Sequence, residues 1–214
     1  IYVFMFGYVF KSKQQYFAIF VFIGITLWDF FNKSLIQSVK VIKANKPIVS
    51  KVYIPKFILI LVKMGVNGFK MFISLLIIVA MLIVWRVPMT YNVIYIIPIL
   101  MTLVVLVFGC CCFLLHYGVF VEDLSNVLNI ALRFLFYLTG IFWNIMDRLP
   151  SPYNYYIGRC NPIAFLLTSA RDCVIYGSTP HRKLLLLWFV IGLIISALGV
   201  RKIYKNENSY VKVI

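Results

Sequence analysis

Lys56, Lys63 and Lys70 recur every seven residues with Asn67 between the last two, so on a helix they share one face. Such a file of ammonium groups beside an amide could lead a phosphate head group along a bundle. The same lysines could instead snorkel their stems toward the aqueous boundary. Arg133 follows Asp123 by ten residues, roughly 15 Å along a helix, which is deeper than snorkelling comfortably allows. Tyr137, Trp143, Tyr153, Tyr155 and Tyr156 offer faces that stack on sugars and hydroxyls that bond to them, or else form an interfacial aromatic belt. Arg159 and Arg171 could pair with Asp172 and lipid head groups. The chain has no Gly-x-x-x-x-Gly-Lys-Ser/Thr loop to cradle nucleotide phosphates and no His-Glu-x-x-His pair for zinc. Coupling to protons or sodium usually needs ionisable groups within the bundle. The apolar stretches carry almost no acid, so the chain is expected to bind no cofactor of its own and to draw energy from a partner.

The elements that must position these groups belong in a bilayer. Of 214 residues, 63% are apolar and 13% charged, with mean hydropathy +0.97. Soluble domains run at about 45–50% apolar and about 25% charged, so an ordinary soluble domain is excluded. The net charge of +15 favours anionic lipid or phosphate-bearing cargo as neighbours. Because the basic residues are scattered between apolar stretches, nucleic acid is not expected as a partner.

A crossing helix needs about 20 apolar residues. Ile1 to Phe10 reads as the end of a helix whose beginning is missing, which predicts a truncated N-terminus. Whole spans are predicted at Tyr16 to Phe31, Ile58 to Trp85, Asn92 to Leu115, Val127 to Met146 and Leu184 to Val200, with Arg86-Val87-Pro88 closing the second of these. Residues 33–63 hold seven lysines, no acid, and Pro47 and Pro55 as helix breakers, and read as a loop or surface-lying segment. Residues 147–183 are too long for a tight turn and too apolar for a linker. They predict two short helices forming a re-entrant hairpin, a shape tolerated only where protein or a wet cavity covers it. Placing 33–63 and the tail after Val200 on one side gives eleven lysines and arginines there against eight opposite, so both, and the C-terminus, are assigned to the cytoplasm. Consecutive Cys110, Cys111 and Cys112 suit packing. Cys160 and Cys173 could pair on an oxidising side.

Several stretches resemble the permease subunits of ABC-2 type polysaccharide exporters. They are Trp28-Asp29-Phe30-Phe31, the run from Asn45 to Pro55, Phe120 to Asn126, Asn161-Pro162 with Arg171 nine residues on, and the ending Glu207 to Ile214. The element Asp123-Leu124-Ser125-Asn126 and that ending look most like teichoic acid translocation permeases. The resemblance implies an all-α integral membrane protein, a six-helix ABC-2 bundle with its first helix incomplete and a re-entrant extracellular hairpin, and one transmembrane domain over residues 1–214. It implies a homodimer in the bacterial plasma membrane that works with a separate ABC ATPase subunit, on which ATP and Mg reside. Residues 33–63 would be the cytoplasmic coupling region, with a coupling helix seated on the ATPase. Lys43, Asn45, Lys46, Pro47, Lys51, Tyr53, Pro55 and Lys56 would make that contact, together with Glu122 and Asp123, which stand where the family usually carries Arg-Asp.

On this reading the chain is not an enzyme. It exports a polyprenyl-pyrophosphate-linked, teichoic acid-like polysaccharide along Lys63, Asn67, Lys70, Arg133, Tyr137, Trp143, Tyr153, Tyr155, Tyr156, Arg159 and Arg171. Two alternatives stand beside it. One is an exporter of capsule, O-antigen or rhamnose-rich polysaccharide. The other is a membrane-embedded glycosyl- or phosphotransferase acting on polyprenyl lipids, for which Glu122-Asp123 is the only adjacent acidic pair.

Overall fold

The computed structural model describes residues 16–49, 51, 54–88, 90–144, 150, 153–207 and 209–210. Every regular element among them is helical: α1 Phe17–Ala44, α2 Lys46–Val49, α3 Lys56–Val84, a 3-10 turn Tyr91–Tyr95 running into α4 Ile96–Phe120, α5 Leu124–Leu138, α6 Tyr153–Cys160, α7 Pro162–Val174 and α8 Arg182–Lys205. Among the described residues four stretches are long and apolar enough to cross a bilayer, namely α1, α3, the 3-10 turn with α4, and α8, which makes this a multi-pass membrane protein. The partial helix expected before Phe10 lies outside the described residues.

Two expectations change. The basic segment 33–63, expected as a loop or surface-lying segment, is mostly helix: α1 continues to Ala44 and α3 starts at Lys56, leaving a much shorter connection that contains α2. The reason is amphipathic. Lys33, Lys40 and Lys43 are exposed while Ser34, Leu35, Ser38, Val39, Val41 and Ile42 are buried, so the lysines ride on the outer face of a continuing helix. The span predicted at Val127 to Met146 also shortens. Its helix α5 covers 15 residues, about 22 Å at 1.5 Å per residue and short of the hydrocarbon core. Thr139 turns its hydroxyl back to the Leu135 carbonyl at 2.5 Å, and Gly140 adopts the left-handed conformation (φ 68) that ends helices.

The stop expected at Arg86-Val87-Pro88 is present, while the spans expected to end at Leu115 and Val200 run on to Phe120 and Lys205. At the end of α3 Arg86 takes φ 49, its N–H reaches Ile83 O at 3.1 Å and Val87 N–H reaches Leu82 O at 3.1 Å. That is a Schellman closure, with buried Val87 and Leu82 as the apolar pair that accompanies it. Pro88 then prevents continuation. The two short helices expected within 147–183 are α6 and α7.

The chain forms two compact units. The first comprises the described residues of Ile1–Asp29, Lys70–Leu100 and Phe134–Leu186; the second comprises those of Phe30–Phe69, Met101–Arg133 and Leu187–Ile214. The first is organised around α7, most of whose residues are buried. Asn161 caps it, its Oδ1 accepting from Ile163 N (3.1 Å) and Ala164 N (3.3 Å), with Pro162 in the first helical position. In the second, α4 and α8 meet along small residues. Gly192, Ser196 and Gly199 follow one another at intervals of four and three on α8. A Cβ on Gly199 would lie 2.6 Å from Cys112 Cβ, and one on Gly109 2.9 Å from the Ser196 nitrogen. Ser196 Oγ closes the seam on Val105 O at 2.9 Å. Close backbone approach through small residues is how helices associate where hydrophobic burial gives no drive. Cys112 is buried at this seam beside Gly199, and Cys111, also buried, lies beside Ser38 of α1.

Candidate functional site

In the second unit α1 ends in a basic turn. Lys43 is exposed, in keeping with the partial negative charge at a helix C-terminus, and Asn45 Nδ2 donates to Val41 O at 2.7 Å to close it. Lys46 and Pro47 follow in α2, both exposed, then exposed Lys51 and half-buried Pro55; Tyr53 lies outside the described residues. Glu122 and Asp123 are exposed in the turn before α5, where the Asp123 carbonyl accepts from Asn126 N (2.9 Å) and Val127 N (3.1 Å) to begin that helix.

Lys56 departs from expectation. Its side chain is only 2% exposed and its ammonium sits 3.2 Å from Glu207 Oε1, so it does not offer itself to a partner's surface. The heptad file therefore does not act as one stripe, since Lys63 and Lys70 are exposed while Lys56 is enclosed. Asn67 is buried as well, with Nδ2 shared between Ser34 Oγ (3.2 Å) and Gln37 Oε1 (3.1 Å), and it ties α3 to α1 instead of lining a route.

α5 carries the remaining polar file. Asn126, Arg133 and Tyr137 fall within about 40° of one another at 100° per residue, with Asn129 just beside them. Arg133 and Tyr137 are exposed, the latter by 70%. Trp143 is half-buried beyond the helix end.

In the first unit Tyr153, Tyr155 and Tyr156 are exposed on α6. The Arg159 guanidinium lies over the Tyr155 ring at 3.7 Å and also donates to the Tyr155 hydroxyl. Its Nη2 is 3.4 Å from His181 Nε2. Cys160 and Cys173 are both free thiols, exposed and buried respectively.

Arg171, expected on a polymer route or beside Asp172 and head groups, is instead 3% exposed. Nε donates to Phe20 O (3.1 Å), Nη1 to Gly140 O (2.9 Å) and Nη2 to Ile141 O (2.7 Å), and the guanidinium stacks on the Phe20 ring at 3.6 Å. It joins α7 to α1 and to the non-helical chain beyond α5, donating to carbonyls of residues 140 and 141 that lie past the helix end. Gly24 makes room, because a Cβ there would run into the guanidinium. Burial pushes the neighbouring Asp172 carboxyl up to about 6, partly offset by Arg171 and His181. A cavity of about 120 Å³ in this unit is lined by Ile23, Leu27, Ile78, Ile99, Ala170 and other apolar side chains, and suits hydrocarbon rather than sugar.

Sequence reasoning missed the partners of Lys56 and His116. His116 Nδ1 is 2.8 Å from the hydroxyl of Tyr210, which is fully buried. Glu207 and Tyr210 gave no signal of these contacts, since nothing local marks a partner about a hundred residues away or more. The α8 spacing of Gly192, Ser196 and Gly199 was a readable sign of the close seam. Among the described residues no three His, Cys, Asp or Glu side chains group to hold a metal.

No family model matches the chain. Over its whole length it aligns with two Klebsiella pneumoniae proteins, each named O-antigen export system permease protein RfbA, at 23% identity across 215 aligned positions and 82% of their length. A multi-pass membrane protein of apolar helices, the chain is thus similar from end to end to O-antigen export permeases.

Proposed function

We propose that this chain is the permease subunit of an ABC-2 type exporter that moves a polyprenyl-pyrophosphate-linked polysaccharide across the bacterial plasma membrane. Two copies would pair and bind two ATPase subunits. The cytoplasmic contact would be Lys43, Asn45, Lys46, Pro47, Lys51, Tyr53 and Pro55 with Glu122 and Asp123, and the C-terminus would lie on the same side. ATP binding by the partner would favour one arrangement of the coupling segment over another, and that difference is what moves the spans.

The observation that carries the transport reading is the exposed polar file on α5. An arginine on a helix facing lipid is costly, so the face bearing Asn126, Arg133 and Tyr137 calls for water, protein or a polar cargo. Tyr153, Tyr155, Tyr156, Arg159 and Trp143 would continue the route outward, with α6 and α7 as the re-entrant hairpin, and Lys63 and Lys70 would meet phosphate nearer the cytoplasm. The relatives' names favour an O-antigen-like glycan; the resemblance of the Asp123 to Asn126 element favours a teichoic acid-like one.

Co-purification with the cognate ATPase tests the reading. Wild type retains the ATPase, and the paired charge reversal Lys46→Glu with Lys51→Glu loses it while still inserting into membranes. A well-folded wild type that captures no ATPase refutes the exporter, and the polyprenyl-lipid transferase then takes its place. Export assays with O-antigen-type and teichoic acid-type lipid-linked glycans separate the two cargoes.

A further inference from the structure

The segment that leaves α8 folds back onto the second unit. Asn206 Nδ2 caps the helix on Lys202 O at 2.9 Å, and the chain then presents Glu207 to Lys56 and Tyr210 to His116. Tyr204 packs on Phe57 with ring centroids 5.7 Å apart, and Tyr210 on Phe120 at 6.1 Å. One short piece of chain thus grips the first turn of α3 and the last turns of α4. Those are the ends from which the Asn45 to Pro55 segment and the Glu122-Asp123 turn depart. Neither grip is a surface contact. Tyr210 is fully buried and Lys56 nearly so, and burial pushes the Tyr210 phenol up to about 12. A buried ion pair adds little net stability over an apolar pair, yet losing one partner leaves an uncompensated charge, so such pairs act best as devices that fix one arrangement.

We infer that Glu207 and Tyr210 are positioning residues, forming a bracket that makes the α3 start and the α4 end move together when the ATPase pushes on them. This rests on the reading of those two elements as the ATPase-facing surface. The bracket itself does not, because it is a contact of this chain alone.

The test uses the full chain in lipid nanodiscs, first without ATPase, comparing hydrogen exchange in wild type, Glu207→Gln with Tyr210→Phe, and the swap Lys56→Glu with Glu207→Lys. In the double variant, exchange rises about tenfold in peptides covering both Asn45–Val49 and Val121–Asn126, while α7 is unchanged. The swap stays close to wild type. With ATPase added, the double variant captures it as wild type does, but stimulated ATP hydrolysis falls about tenfold, the signature of lost coupling rather than lost binding. Exchange that rises only within 203–210 overturns the bracket, as does full ATPase stimulation in the double variant. A wild type that binds no ATPase overturns only the surface assignment, and the exchange data still decide the bracket.

Discussion

Replacing Arg171 by lysine keeps the positive charge and removes the fork. If Arg171 acted by charge along a polymer route, that exchange would be mild. The structure assigns it a different job, since three nitrogens reach three carbonyls on two segments, with Phe20 O at 3.1 Å, Gly140 O at 2.9 Å and Ile141 O at 2.7 Å. A point ammonium on a shorter reach keeps about one of these. A hydrogen bond from a charged donor is worth about 1.5–3 kcal/mol and an orphaned buried acceptor costs a similar amount, so losing two gives about 3–6 kcal/mol. Taking 3 kcal/mol as the lower end, scaling from soluble chains of this size lowers the melting temperature by about 6–12 °C. The assay is thermal unfolding of detergent-purified protein followed by monodispersity on gel filtration. Gly24→Ala should reproduce the loss, because its methyl takes the guanidinium's space. If Arg171→Lys melts within about 2 °C of wild type, the anchoring role is wrong.

Three further outcomes follow from other parts of the molecule. Gly199→Val, whose Cβ would lie 2.6 Å from Cys112 Cβ, forces α4 and α8 apart and destabilises by about 1–3 kcal/mol in the same melt. Gly199→Ala loses less, since alanine regains about 1 kcal/mol of helix propensity. Asp172 titrates near 6 in the fold against an ordinary value near 4, so the native state holds the extra proton between those values. Its contribution to stability is present at about pH 4 and lost as the pH rises to about 6. Melting curves should show Asp172→Asn more stable than wild type at pH 7, with that advantage gone by pH 4. Arg133→Ala should cut export about tenfold, the equivalent of one charged hydrogen bond, with an unchanged melt, and Arg133→Lys should recover part of it.

The long apolar stretches and the Arg86-Val87-Pro88 stop were readable because both are local. Composition over twenty residues and a proline after a helix end carry their own physics. α1 beyond Phe31 was not readable as helix, since three lysines there lower any hydropathy window even though their spacing keeps Leu35, Val39 and Ile42 on one buried face. The stop of α5 turned on Gly140 adopting positive φ, which a single glycine in an apolar run does not announce. Site residues fared worst where burial decided their role. Lys56, Asn67 and Arg171 are polar groups of the kind that line routes, and only their distant partners Glu207, Ser34 and Phe20 show them holding the fold. Tyr137 and Arg133 are exposed, as is Tyr155 beneath the Arg159 guanidinium.

The link from Arg171 to Phe20 joins positions 151 residues apart. A ribosome adding about 5–20 residues per second takes about 8–30 s to travel that distance. For all that time the notch at Gly24 lacks its guanidinium, and whatever fills it meanwhile, water, lipid or an insertion factor, must leave when α7 arrives. The order of synthesis therefore leaves α1 waiting for α7, and a pause in translation before Arg171 would lengthen the interval in which the half-made protein is open to proteolysis.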